Sequence, residues 1–260
     1  MDRGAWNKFK KARERFRRIT EEYANSLPKL KSIQQKFADI RTESKKSSYT
    51  VETPVVYNSA LDDISVDSEI KLILVADNPG RREQAAENRR YLVGPSGKIA
   101  QKFFSDNPTL GIDFQDNVII LNKTPIHSPR TAELKELCRM ETATGNTTSG
   151  TTCDSSIVSA LDESQKTMAA LLLEFQLALN VPVWITGYSE MKKGGIFESY
   201  TEKLKELYAN NGELYNRLFL YRHFSMNQFT IDLKQQTLPG ETVAKSLRRI
   251  GAAYRKRILG

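Results

Sequence analysis

The stretch 70–80, Ile-Lys-Leu-Ile-Leu-Val-Ala-Asp-Asn-Pro-Gly, constrains the fold more than any other part of the chain. A run rich in Ile, Leu and Val that stops abruptly at turn residues predicts a buried strand of a parallel sheet. The turn Asp77-Asn78-Pro79-Gly80 then lies at the carboxyl end of that strand, where open α/β sheets place their ligands. A second punctuation, Gly94-Pro95-Ser96-Gly97, precedes Lys98-Ile-Ala-Gln-Lys-Phe-Phe and predicts a helix start. One strand, one polar turn, a basic loop and one glycine-bounded helix start therefore line a single crevice.

Three further short apolar runs repeat this grammar: Asn117–Asn122, Val181–Thr186 and Leu218–Tyr221. Each ends in polar or turn-forming residues, so Asp77, Asn78, Asn122 and His223 gather along one edge. Helical spacing falls between the runs, over 157–180, 197–210 and 241–258, with one or two turns over 131–139. Alternating strands and helices predict an α/β fold: a three-layer α/β/α arrangement around a short, mainly parallel four-stranded sheet. Ahead of it, residues 1–67 read as a helical N-terminal extension. Trp6, Phe9, Phe16, Ile19 and Tyr23 form the apolar stripe of a first helix, and Ser26 is expected to cap a second. The α/β domain then spans 68–260. Residues 142–156, dominated by Thr, Ser and Gly, are expected to be a flexible surface insertion.

The net charge of +8 and a pI of about 9.3 favour an anionic partner, nucleic acid before an acidic membrane surface. No run approaches the roughly 18 apolar residues of a membrane span, and the first residues have no apolar signal core. Two cysteines, Cys138 and Cys153, are too few for a disulfide framework or a four-cysteine metal site. The expectation is a cytoplasmic protein with reduced thiols, off the membrane and monomeric.

Familiar catalytic constellations fail one by one. The ATPase phosphate loop needs G-x-x-x-x-G-K-[ST]. Here two residues separate Gly94 from Gly97, and Ile99 follows Lys98 where a hydroxyl is required. The two histidines, His127 and His223, have no close cysteine partner for a metal. No serine sits in a G-x-S-x-G elbow. What remains is a site of amides, one carboxylate and one histidine in a basic protein, with no cofactor.

These residues resemble the uracil-DNA glycosylase superfamily. Members carry a strand ending in a Gly-x-(Asn, Asp or Ala)-Pro-(Gly, Tyr or Ala) turn, here Ala76-Asp77-Asn78-Pro79-Gly80. The Asn-Pro-Gly version looks like the mismatch-specific and single-strand-selective branches. Arg90-Tyr91-Leu92-Val93-Gly94-Pro95-Ser96-Gly97-Lys98 is similar to the R-P-F-V-G-x-A-G stretch of the iron–sulfur branch. Asn122 matches the asparagine that reads the uracil edge, and Arg222-His223-Phe224-Ser225 resembles the late His-Pro-Ser segment. The resemblance covers residues 70 to 230. It departs at Ala76, which replaces a glycine, at Phe224, which replaces a proline, and at Leu92, which stands where an aromatic should stack. Tyr91 beside it is the substitute candidate. The iron–sulfur cysteines are missing, so that cofactor is not implied.

The resemblance implies a DNA-repair glycosylase that hydrolyses the bond to uracil or a related deaminated base, in single- or double-stranded DNA. Its catalytic residues would be Asp77, Asn78 and His223. Tyr91, Leu92 and Asn122 would bind the base, while Gly94, Ser96, Lys98, Ser225, Met226, Arg248 and Arg249 would meet DNA. His223 would donate to the carbonyl oxygen where charge develops and Asn78 would position water. Asp77 would act as general base or stabilise the sugar cation. The alternatives are a non-catalytic nucleic-acid-binding homologue and an enzyme of the same fold acting on another nucleobase or nucleoside.

Overall fold

A computed structural model describes residues 1–44, 49–144 and 157–260. Four strands form one sheet: β1 (Leu72–Ala76), β2 (Val118–Asn122), β3 (Val183–Thr186) and β4 (Leu218–Tyr221). All neighbours are parallel, in the order β2-β1-β3-β4. β1 is buried along its whole length, as its unbroken apolar character requires of a strand covered on both faces. The ladder starts two residues later than the apolar run at Ile70, because Lys71 and Leu72 both donate to the carbonyl of Asn117 before regular pairing begins.

The helices are α1 (Arg3–Ser26), α2 (Leu30–Ser44), α3 (Pro95–Asp106), α4 (Thr131–Thr144), α5 (Ile157–Leu179), α6 (Glu198–Tyr208), α7 (Gly212–Asn216), α8 (Gln228–Gln236) and α9 (Val243–Leu259). Right-handed crossovers set the layers. The step from β1 to β2 runs one way across the sheet and carries α3 over one face. The steps from β2 to β3 and from β3 to β4 run the other way and place α5 and α6 together on the opposite face. On the first face Phe104 of α3 stacks on Trp184 of β3 with centroids 5.4 Å apart, and Phe103 meets Phe229 of α8 at 4.9 Å. The result is the three-layer α/β/α fold.

Phe9 and Phe16 of α1 are fully buried, and Phe9 packs edge-on against Phe175 of α5 at 5.3 Å. The apolar stripe read from the sequence therefore joins the same core as the sheet. Several cations of the opposite face are taken up within the chain: Arg13 and Arg17 pair with Asp62, and Arg15 with Glu174. Ser26 does not cap α2. It ends α1, its hydroxyl donating back to the Tyr23 carbonyl at 3.2 Å, and α2 starts four residues later. Helix α8, which carried no sequence prediction, buries only Phe229, Asp232 and Leu233 and has too short a periodic pattern to announce itself. The insertion expected over 142–156 lies outside the described residues from 145 onward, with α4 continuing to Thr144.

The segment after residue 48 crosses the carboxyl edge of the sheet. Val55 bridges Ile126, and the Val56 amide donates to the Pro125 carbonyl at 2.9 Å. It thereby holds down the loop that leaves β2.

Candidate active site

The site grows out of register. Ala76 of β1 pairs with Asn122 of β2, so the next residues on the two strands, Asp77 and Lys123, leave the sheet side by side. The Lys123 amide donates to the carbonyls of both Ala76 and Asp77 at 3.0 Å, which locks the two exits together. The Lys123 side chain then turns inward: it is 0% exposed, and its Nζ donates to Asp77 Oδ1 and to the Thr186 carbonyl, each at 2.5 Å. Sequence reasoning missed this residue, since a lysine after a strand reads as solvated. The only available signal was a carboxylate at the matching position of a neighbouring strand.

Room for the Asp77 carboxylate comes from Gly187, which starts the turn after β3 in the left-handed region at φ 75°. A Cβ there would stand 2.5 Å from Asp77 Oδ1, so the close approach demands glycine. Burial alone would push the Asp77 carboxyl up. Burial is the largest single influence, but the Lys123 charge, His223 and the hydrogen bonds from Lys123 and Thr131 together outweigh it and hold the group below the usual carboxylate range. Burial also pulls the Lys123 ammonium down from its ordinary value, against the opposing pull of Asp77.

Asn78 sits in a defined orientation. Its Nδ2 donates to the Ser128 carbonyl and hydroxyl, both at 3.0 Å, while its Oδ1 faces the Thr131 hydroxyl at 3.2 Å. The same hydroxyl lies 3.1 Å from Asp77 Oδ2, so Thr131, at the start of α4, links the two turn residues. His127 has a structural task. Its Nδ1–H donates to the Pro79 carbonyl at 2.8 Å, and its Nε2 accepts from the Tyr49 hydroxyl at 3.1 Å. Burial lowers its pKa to about 4, so the ring is neutral and staples the turn.

Asn122 closes β2 at 1% exposure, and neither its Oδ1 nor its Nδ2 has a hydrogen-bond partner. A buried amide left unpaired is costly, roughly 1–3 kcal/mol, and calls for an explanation in ligand binding or trapped water. His223 leaves β4, the edge strand opposite β2. Its Nδ1 accepts from the Ser225 amide at 3.0 Å and faces the Ser225 hydroxyl at 2.8 Å. An amide can only donate, so the neutral ring carries its proton on Nε2. Burial lowers the His223 pKa, Asp77 pulling it up and Lys123 down. Ser225 thus orients His223 through Nδ1, a contact that the resemblance alone did not imply.

Both base-stacking candidates are buried in the core. Tyr91 turns into the core, where its hydroxyl donates to the Val56 carbonyl at 2.6 Å and its ring lies 6.4 Å from Phe16. Leu92 occupies the left-handed region at φ 55° and is 8% exposed. Its carbonyl lies against Gly97, where a Cβ would come within 1.4 Å, and this explains the second glycine of the helix start. Gly94 caps α3, Ser96 is half-buried in its first turn, and Lys98 is exposed. Phe224 belongs to the aromatic core, stacked on Phe229 at 4.3 Å.

A buried carboxylate also went unread in the sequence. Glu83 accepts from the Gly80 amide at 3.0 Å and from the Leu92 amide, tying the turn after β1 to the segment before α3. It has no cationic partner in these contacts, and burial raises its pKa to about 7.

Around this crevice the loops that leave the four strands carry exposed cations: Arg81 and Arg82, Arg130, Lys192 and Lys193, and Arg222. Met226, in the turn after β4, is 78% exposed, with Met226 and Asn227 both left-handed at φ 52° and 59°. Helix α9 runs antiparallel to β4: the Tyr221 hydroxyl meets the Leu247 carbonyl, while Arg255 donates to the carbonyls of Tyr215 and Leu218. Arg248 is therefore exposed near the carboxyl edge and Arg255 lies at the far end. Arg249 bonds to Glu241 and to the Gln236 carbonyl, which commits it to holding the start of α9.

Among the described residues no group of three or more His, Cys, Asp or Glu side chains is placed to hold a metal ion, and no helix is long and apolar enough to cross a membrane. No family model, curated protein or solved structure matches this chain.

Proposed function

We propose that the chain is a DNA-repair glycosylase that hydrolyses the N-glycosidic bond of uracil or a related deaminated base. The observation that carries the reading is the buried, unpartnered amide of Asn122 beside Asp77 at the end of β2. One acceptor and one donor held together without partners match the pairing edge of an imide such as uracil. His223 supports the reading from the exit of β4 at the other edge of the sheet, since its Nε2–H is a donor held in a fixed ring. Such a donor acts most strongly on an oxygen that gains charge as the bond breaks.

In this scheme the C1′–N bond breaks with its electron pair leaving on the base, and His223 donates to the base carbonyl oxygen. Water held by Asn78 Oδ1 then adds to the sugar cation at C1′, and its proton ends on the departed base. The exposed cations of the four loops would bind phosphate. Met226 fits an apolar wedge, which fills the stack when a nucleotide is extruded.

One observation favours the second reading, a protein that binds nucleic acid without chemistry. Asn122 and Lys123 are shut off from solvent at 1% and 0% exposure, so a base reaches the amide only if neighbouring side chains move. Incubation with oligonucleotides carrying uracil, hypoxanthine or xanthine, followed by alkaline cleavage at abasic sites, separates the two. Base release supports the glycosylase. DNA binding without release from any of the three substrates would select the binding homologue.

A further inference from the structure

The surroundings of Lys123 Nζ are unusual for a lysine. Three acceptors face it: Asp77 Oδ1, the Thr186 carbonyl, and the ring of Phe197, whose centroid is 4.8 Å away. An ammonium has three protons and no acceptor, so this environment suits the charged form and uses every proton. The Lys123 side chain is fully enclosed, while that of Asp77 keeps 11% exposure. The pair therefore reaches the crevice only through its carboxylate. Buried ion pairs seldom stabilise a protein more than apolar packing of the same shape, so stability does not account for this one.

A carboxylate gripped by an ammonium is a poor proton acceptor. We propose that Lys123 is a positioning residue that holds Asp77 as a permanent anion, so that Asp77 offers a fixed negative charge to the sugar cation and takes no proton from water. This rests on the glycosylase reading and decides between the two roles open to Asp77 within it. The water proton passes to the departed base, and Asp77 is unchanged through the cycle. The charged and titratable groups that face the pair are His223 from the exit of β4, which acts on Asp77, and Glu190 from the turn after β3, which acts on Lys123. Thr131 from the start of α4 adds a neutral hydroxyl.

The direct test is 13C NMR of the full chain with labelled aspartate, the Asp77 signal being assigned by its loss in Asp77→Asn. In the wild type the signal should keep its carboxylate position down to about pH 4, where an ordinary aspartate is already about half protonated. A wild-type midpoint above about pH 4 would overturn the proposal, because Lys123 would then not hold Asp77 ionised below the ordinary range. In Lys123→Met the midpoint should rise by about two pH units or more, as expected for a desolvated carboxyl without a partner. An unshifted midpoint there also overturns it.

Single-turnover release from a uracil oligonucleotide gives the functional arm. Lys123 lowers the His223 pKa, so its removal would shift any acid limb owed to that ring; the readout is therefore the rate of Lys123→Met relative to the lysine-containing protein, both in a His223→Gln background. That ratio should fall at least about 2-fold from pH 8 to pH 5 and further at lower pH, as Asp77 takes up a proton around a midpoint near 5 or above. A ratio that is constant with pH would mean that Lys123 only packs. The double variant Asp77→Asn/Lys123→Met restores a neutral pair and should fold, yet remain as slow as Asp77→Asn. Recovery of the wild-type rate would refute a role for the charge. If Lys123→Met does not fold, the wild-type titration and the double variant still decide. If no uracil is released at all, the glycosylase reading fails by that result alone, while the titration independently reports whether Lys123 keeps Asp77 ionised.

Discussion

Replacing Glu83 with glutamine should remove the pH dependence that this side chain imposes on stability. The carboxyl is buried against the amides of Gly80 and Leu92, and its pKa rises from the ordinary 4.5 to about 7. The folded protein then holds this proton more tightly than the unfolded chain does. The stabilisation is fully present below pH 4.5 and is lost as pH rises through 7. At about 1.4 kcal/mol per pH unit, the rise from 4.5 to about 7 corresponds to roughly 3 kcal/mol. Glutamine has no charge to desolvate. It keeps one oxygen for one of the two amides and forfeits the other bond, at a cost of about 1 kcal/mol. Urea unfolding at pH 5, 6, 7 and 8 measures the effect, provided that the denaturant slope is unchanged. Glu83→Gln should be slightly less stable than wild type at pH 5 and should gain on it by up to roughly 3 kcal/mol by pH 8. His127 and His223, whose lowered pKa values make them lose stability as pH falls, act alike in both proteins and cancel in the difference. Parallel profiles, or a variant that loses ground between pH 5 and pH 8, would refute the reasoning.

Asn122→Leu should abolish base release while leaving the thermal midpoint unchanged or raised, because it removes two buried polar atoms that have no partners; a large drop in midpoint would mean that the amide is satisfied in solution. His223→Ala should lower single-turnover base release on the order of 100-fold with DNA binding nearly intact. In the wild type the same rate should fall with pH only below the lowered His223 pKa, where Nδ1 takes a proton from solvent and its bond to the Ser225 amide is lost. Met226→Ala should slow release from duplex DNA more than from single strands, which a paired assay on the two substrates reads out. Neutralising Arg82, Arg130, Lys192 and Lys193 together should reduce the slope of log affinity against log salt by roughly 3, whereas neutralising Arg255 and Lys256 at the far end of α9 should leave it unchanged.

The amino-acid sequence by itself determined the four strands, their order of appearance with the helices, and the edge on which the polar residues collect. These are local facts. A run such as Leu72–Ala76 states its burial in its own composition, and Asp-Asn-Pro-Gly states its turn. The placement of Asn122 and His223 at strand ends was legible for the same reason. The tertiary structure alone decided what those ends do. Lys123 is drawn inward by a carboxylate on another strand, at a register that no stretch of sequence displays. Tyr91 and Leu92 are adjacent in sequence and equally plausible against a base. An acceptor on Val56 draws the tyrosine hydroxyl into the core, and Leu92, held in the left-handed region, is buried in the same core. Ser225 and Arg249, read as DNA contacts, have partners within the chain that depend on how the exit of β4 and the start of α9 pack. Periodicity and turn chemistry act over a few residues, so a sequence exposes them directly. A charge's burial, a ring's tautomer and the role of a carboxylate depend on neighbours that only the completed fold brings within hydrogen-bond distance.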